Sequence, residues 1–134
     1  MNKLIEQIKK ARFVWICGNG GSAATAEHFA NDLVKKGIPA IALSSNTSII
    51  TMIANDYGYE YIFSEQLKVY ANKKDLLIKI SCSGNSENML QAHMEANRIK
   101  MSVYEFETFE FDDKNYGKLE DKHLKFAHEV AKAL

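Results

Sequence analysis

The 134-residue chain contains one proline, two cysteines and no excess of either charge. Each scarcity removes a class of function. Lys plus Arg and Asp plus Glu both number 17, so the formal net charge is zero. That argues against nucleic acid and anionic membrane surfaces as partners, because both select a basic excess or patch. The doublets Lys9-Lys10, Lys35-Lys36 and Lys73-Lys74 are isolated and read as solvated faces. No apolar run approaches the length of a membrane span. The opening MNKLIEQIKKARF is amphipathic and lacks the apolar run and small-residue cleavage site of a signal peptide. Cys17 and Cys82 show neither CxxC spacing nor a disulfide-rich pattern, which predicts reduced thiols and a cytoplasmic location. There is no linker-like stretch and no repeat, and the length suits a single domain over residues 1–134.

What the chain does have is an alternation of short apolar runs with helical periodicity. Residues 13–17 form a continuous apolar run ending at Gly18, as in a buried parallel strand. Residues 22–36 place Ala26, Phe29, Ala30 and Leu33 at helical spacing, and Gly37-Ile38-Pro39 ends that helix. Residues 40–43 read as a second strand. Residues 47–54 and 60–71 read as helices around the turn Asn55-Asp56-Tyr57-Gly58. Residues 76–80 form a third strand and 86–98 a further helix. Residues 101–111 are extended, with edge-strand character, and 119–134 form a final amphipathic helix. This order predicts an α/β fold with a doubly wound parallel sheet of three to four strands. In such sheets ligands bind beyond the carboxyl ends of the strands.

Two polar loops fall at that edge. Gly18-Asn19-Gly20-Gly21-Ser22 lies between strand one and its helix, where glycines admit close backbone approach and a helix start favours anions. With Ala23 it also satisfies GxGxxA, a dinucleotide fingerprint. That reading needs a carboxylate near the end of strand two, where Leu43-Ser44-Ser45-Asn46 stands instead. Ser81-Cys82-Ser83-Gly84-Asn85-Ser86 is the second loop, and its hydroxyls beside a helix N-terminus suit a phosphate. The plainer alternative is that Ser86 is an N-cap and the other serines make a turn. Neither loop carries the lysine of a triphosphate-binding loop. Together they predict a phosphorylated ligand bearing further hydroxyls.

At these residues the chain resembles the sugar isomerase (SIS) domain family, and within it the phosphoheptose (sedoheptulose 7-phosphate) isomerases. The resemblance is carried by CGNGGSAATAEHFANDL (17–33), IANDYG (53–58), ISCSGNSEN (80–88) and LEDKHLKFAH (119–128). It implies a Rossmann-like sheet and a homo-oligomer, usually a tetramer. Asn19, Gly20, Gly21 and Ser22 would then line the sugar-binding loop, with Asn55 and Asp56 contacting the sugar. Ser81, Ser83 and Ser86 would hold the phosphate. His28, Asp32, Glu120 and His128 would occupy the positions that bind metal, often zinc, and move protons, with Glu120 also near the substrate. His28 and Asp32 are spaced i, i+4, and Glu120, Leu124 and His128 follow in steps of four, so each pair shares a helical face. An imidazole and a carboxylate from each of two helices suit a divalent metal such as zinc. His93 and His123 take no role and are predicted at the surface.

The implied reaction is aldose–ketose isomerisation of sedoheptulose 7-phosphate to D-glycero-D-manno-heptose 7-phosphate, for heptose and surface-glycan synthesis. Such chemistry needs a base, an acid and stabilisation of an enediolate, roles for which Asp32 and His128 are the candidates. The alternative is a non-catalytic sugar-phosphate-binding or regulatory domain. Three departures from the family are visible. Asp32 stands where it carries glutamate and Glu120 where it carries glutamine, so oxygen ligands remain at both. About a dozen residues precede the first strand, where the family has longer helices. Between Met101 and Leu119, one strand near Val103–Phe106 is expected, without the family's next strand and intervening helix. The acidic residues Glu105, Glu107, Glu110, Asp112 and Asp113 would discourage further pairing at that edge.

Overall fold

Residues 1–109 and 115–134 are described by a computed structural model. The elements run α1 (Asn2–Lys10), β1 (Val14–Cys17), α2 (Gly21–Lys35), β2 (Ala40–Ala42) and α3 (Thr47–Asp56). A 3-10 turn at Tyr59–Tyr61 follows, then α4 (Ser64–Tyr70), β3 (Leu76–Lys79), α5 (Glu87–Ile99), β4 (Ser102–Glu105) and α6 (Tyr116–Ala133).

Four parallel strands pair in the order β2-β1-β3-β4. Every residue of β1 and β3 is buried, as expected of central strands covered on both faces, whereas β2 and β4 are partly exposed edges. Alternation along the central strands sorts the core into two layers. Val14, Ile16, Leu76, Ile78 and Ile80 pack with Leu4 and Ile8 of α1, Phe29 and Leu33 of α2, and Ala127 and Val130 of α6. Trp15, Cys17 and Leu77 pack on the other face with Ile53 of α3, Leu67 of α4, and Met89 and Ala92 of α5. Burying a side chain such as Phe29 or Leu77 contributes about 1.5–3 kcal/mol. Because α2 and α5 leave adjacent strands toward opposite faces, a crevice opens between the carboxyl ends of β1 and β3.

The other end of the sheet is fastened by Asp75. It is buried, and it accepts both arms of the Arg12 guanidinium at 2.8 Å, the Trp15 indole N–H at 2.9 Å and the Asn72 backbone N–H at 2.9 Å. These bonds tie the start of β3 to the start of β1, and the Asp75 carboxylate raises the Arg12 pKa through the hydrogen bond.

Several boundaries differ from the sequence reading. Helix α3 continues through Asn55 and Asp56, so the turn shrinks to Tyr57 and Gly58, where Gly58 takes φ +121°. The expected helix over residues 60–71 splits into the 3-10 turn and α4, because Ile62 and Phe63 between them turn into the core. Helix α6 begins at Tyr116, three residues early, capped by Asn115, whose side chain accepts from the Lys118 N–H at 3.1 Å. The strand expected near Val103–Phe106 is β4. Among the described residues no further strand precedes α6. Of the acidic run, Glu105 and Glu107 are described, whereas Glu110, Asp112 and Asp113 lie outside the described residues. No helix among the described residues is long and apolar enough to cross a membrane.

Three side chains occupy places the sequence reading missed. His123 is not at the surface: it is 2% exposed, and its Nε2 meets the Glu107 carbonyl at 2.6 Å. Lys79 is also buried, and its ammonium donates to the Glu105 carboxylate at 2.9 Å and lies 3.3 Å from His93 Nδ1. His93 is accordingly half-buried rather than on the surface.

Candidate active site

The β1–α2 loop cannot carry side chains at its base. A Cβ on Gly18 would lie 2.6 Å from the Ser22 carbonyl oxygen and 2.9 Å from that of Ile80. Gly20 takes φ +56°, a conformation other residues rarely adopt, and Ser22 is buried beneath the loop. Neither α2 nor α5 has a side-chain cap; the Ser22 N–H donates to the Asn19 carbonyl at 3.0 Å and the Met89 N–H to the Ser86 carbonyl at 3.0 Å, so each first turn closes on its own loop.

The β3–α5 loop is a compact turn. Ser81 Oγ accepts from the Gly84 N–H at 3.0 Å and Ser83 Oγ from the Asn85 N–H at 3.3 Å, which leaves each hydroxyl proton to donate. Ser86 occupies the N-cap position of α5 without making a cap bond. Cys82 is buried, and its pKa is raised by desolvation, with the nearby Ser22 side chain opposing the shift. Segment 107–109 braces the serine loop: the Phe109 N–H donates to the Cys82 carbonyl at 2.9 Å, and Thr108 stands beside Gly84. Thr108 and Phe109 also line a cleft of about 180 Å³ that α6 supplies with Lys118 and Lys122, which the sequence reading had not singled out.

Helices α2 and α6 pack side by side and bring three of the four proposed metal-site residues together. His28, Asp32 and His128 present ligand atoms all within 4.8 Å of one another. His128 Nε2 lies 2.9 Å from His28 Nε2, and Asp32 Oδ2 lies 3.7 Å and 3.8 Å from these nitrogens. One of the two facing nitrogens must carry a proton and the other must accept it. Zinc–nitrogen bonds of about 2.0–2.1 Å in tetrahedral geometry set two ligand nitrogens about 3.3 Å apart, so a small side-chain adjustment would admit an ion. Both imidazoles are about half exposed (51% and 50%), which leaves one side open to a ligand.

Glu120 lies outside this group. Its carboxylate covers Gly21 at the start of α2, where any Cβ would collide with it. Gly21 precedes His28 by seven residues and Glu120 precedes His128 by eight. At 1.5 Å per residue, these spacings put the backbones of Gly21 and Glu120 about 10–12 Å from those of His28 and His128 along the α2–α6 seam. Within one chain Glu120 belongs with the loops. Asn55 and Asp56 are exposed on the last turn of α3, with the Asn55 amide donating to Asp56 at 3.1 Å. Asn19 is bonded to Tyr59 and Asn88, neither of which the sequence reading assigned a role.

Residues 1–106 match the SIS domain family. The chain belongs to that family. Among its relatives, the phosphoheptose isomerase of Helicobacter pylori (strain P12) is 48% identical over 106 residues, which cover 75% of this chain and 55% of the relative. The chain thus spans about half the length of the curated relatives it matches. The solved structure of phosphoheptose isomerase GmhA from Neisseria gonorrhoeae superposes with a TM-score of 0.90 at 29% identity, covering 98% of this chain and 80% of that one. A phosphoheptose isomerase from Francisella tularensis gives a TM-score of 0.87, also at 29% identity, covering 98% and 82%. The SIS match ends before α6, so Glu120 and His128 lie beyond it, whereas both structural superpositions cover nearly the whole chain.

Proposed function

We propose that this chain is a sugar-phosphate aldose–ketose isomerase that converts sedoheptulose 7-phosphate to D-glycero-D-manno-heptose 7-phosphate. The observation that carries the reading is the His28–Asp32–His128 cluster on the α2–α6 seam, in a chain whose relatives are phosphoheptose isomerases. Phosphate binding alone would need the two loops and nothing from this cluster. In this reading Ser81, Ser83 and Ser86 hold the phosphate, while Asn19 to Ser22, Asn55, Asp56 and Glu120 face the sugar.

His28, Asp32 and His128 would hold a divalent ion, zinc by the chemistry of two imidazoles and a carboxylate. When bound, such an ion polarises a carbonyl and stabilises negative charge on oxygen. Asp32 and His128 are the acid–base pair that moves a proton between adjacent carbons. We further infer that the 134 residues act as one domain, in the cytoplasm, with its two cysteines reduced, as a homo-oligomer of tetrameric form. Both cysteines are buried and free, which supports a reducing compartment.

The test is incubation with sedoheptulose 7-phosphate, with added zinc or with a chelator, followed by assay for the aldose product. Product that forms with zinc and disappears with the chelator supports the isomerase. Tight binding of the sugar phosphate without turnover would overturn it in favour of a binding module.

A further inference from the structure

Asn19 is committed inside the chain. Its Nδ2 donates to Asn88 Oδ1 at 2.8 Å, and its Oδ1 accepts from Asn88 Nδ2 at 2.9 Å, a reciprocal pair of amide bonds. The Tyr59 hydroxyl donates to the same Oδ1 at 3.2 Å. A carbonyl-type oxygen has two lone pairs, so Asn19 Oδ1 has no acceptor capacity left, and one N–H remains to the amide. Asn88 is 2% exposed, on the first turn of α5, and cannot reach a ligand in the open crevice. Its amide is satisfied by a residue 69 positions away in sequence.

These bonds join three segments: the β1–α2 loop, the first turn of α5 beyond the serine loop, and the 3-10 turn after α3. Reciprocal amide pairs of this kind, here half-buried, fix the distance between the backbones that carry them, because a slip of either breaks two bonds at once.

We propose that Asn88 and Tyr59 are positioning residues for the isomerisation, acting through Asn19 to hold the sugar-facing loop at a set distance from the phosphate-holding loop. This rests on the isomerase reading. Asn19 is then a strut, and its loop meets the sugar chiefly through the backbone around Gly20 and Gly21 rather than through the Asn19 side chain. With the phosphate anchored on the serine loop, loosening the strut moves the sugar end relative to the acid–base pair. The loss therefore falls on kcat more than on KM, since a displacement of about 1 Å costs on the order of 100-fold in rate.

The experiment is steady-state kinetics with sedoheptulose 7-phosphate on Asn88→Ala, Asn19→Ala, the double variant and Tyr59→Phe. Asn88→Ala is expected to lower kcat by about 100-fold with KM within about threefold. Tyr59→Phe removes one exposed hydroxyl and is expected to lower kcat by about fivefold. The double variant is expected to be no slower than Asn19→Ala, the mark of residues acting through one another. Losses that multiply in the double variant, or a raised KM at unchanged kcat, would overturn the proposal. If Asn88→Ala fails to fold, Tyr59→Phe decides, and wild-type kcat in that variant overturns it. A wild-type chain that binds but does not turn over defeats the isomerase reading instead. The strut is then read from hydrogen exchange of backbone amides 19–24, which must quicken in Tyr59→Phe and in any folded Asn88→Ala; unchanged exchange sinks it.

Discussion

Asp32 and His128 lie 3.8 Å apart across the α2–α6 seam, although 96 positions of sequence separate them. A carboxylate and an imidazole so placed can share a substrate proton between them, and general acid–base catalysis typically contributes 10²–10⁴-fold. Asp32→Asn and His128→Ala are each expected to lower kcat by about that range while inorganic phosphate still binds, because the serine loop is remote from both side chains in sequence and is built from different elements. Parallel turnover and phosphate titrations check this, and full activity in either variant contradicts the assignment. Cys17 supplies a pH-dependent counterpart. Burial pushes its thiol up to about 12, with the Lys79 charge opposing the shift and the Glu105 charge adding to it. A raised folded pKa means that its contribution to stability is complete below the ordinary thiol value near 9 and is lost as pH rises from there through 12. The stability difference between wild type and Cys17→Ala should narrow steadily over that window in urea titrations, and native Cys17 should resist alkylation at neutral pH. Rapid alkylation of the folded protein would contradict the burial.

At the scale of elements, the most consequential tie is Asp75, whose carboxylate serves Arg12, Trp15 and the Asn72 N–H together. Removing it leaves the buried Trp15 indole N–H without its acceptor and cuts the ties to Arg12 and Asn72. Asp75→Ala is expected to lower unfolding stability by about 3 kcal/mol or more, measured by urea denaturation. A loss below about 1 kcal/mol would show that the tie is dispensable. The elements themselves were largely legible. The run over residues 13–17 and the periodicity of Phe29 and Leu33 reflect burial, which the sequence displays directly. His123 was misplaced because its neighbours Lys122 and Lys125 are charged. Yet it stands four residues from both Leu119 and Ala127, on the face that the helix buries. That signal was available. Lys79 had no such signal: a lysine closing an apolar run reads as a strand end, and its partner Glu105 becomes adjacent only through the β3–β4 register. The Asn19–Asn88 bond was hidden for the same reason, since only the parallel sheet brings the two loops side by side.

In the molecule as a whole, the strands and helices of the described residues place both polar loops at one edge of the sheet and the histidine cluster on the adjoining α2–α6 seam. The sequence motifs named four candidate metal-site residues, but they could not show that the Glu120 carboxylate turns to Gly21 while His128 meets His28 and Asp32. The structure separates a triad whose chemistry suits an ion from a carboxylate that rests against Gly21 of the β1–α2 loop. In the proposed reaction this arrangement moves a proton between carbons of a sugar phosphate. The most direct measurement is turnover of sedoheptulose 7-phosphate in heavy water with zinc present, followed by mass spectrometry of the recovered sugars. An enediol route exchanges the transferred proton with solvent, so the wild-type chain should place one carbon-bound deuterium in the aldose, and Asp32→Asn should place none. Recovery of the ketose unlabelled and unconverted from the wild-type protein, with binding demonstrated in the same sample, would show that the chain binds the sugar phosphate without isomerising it.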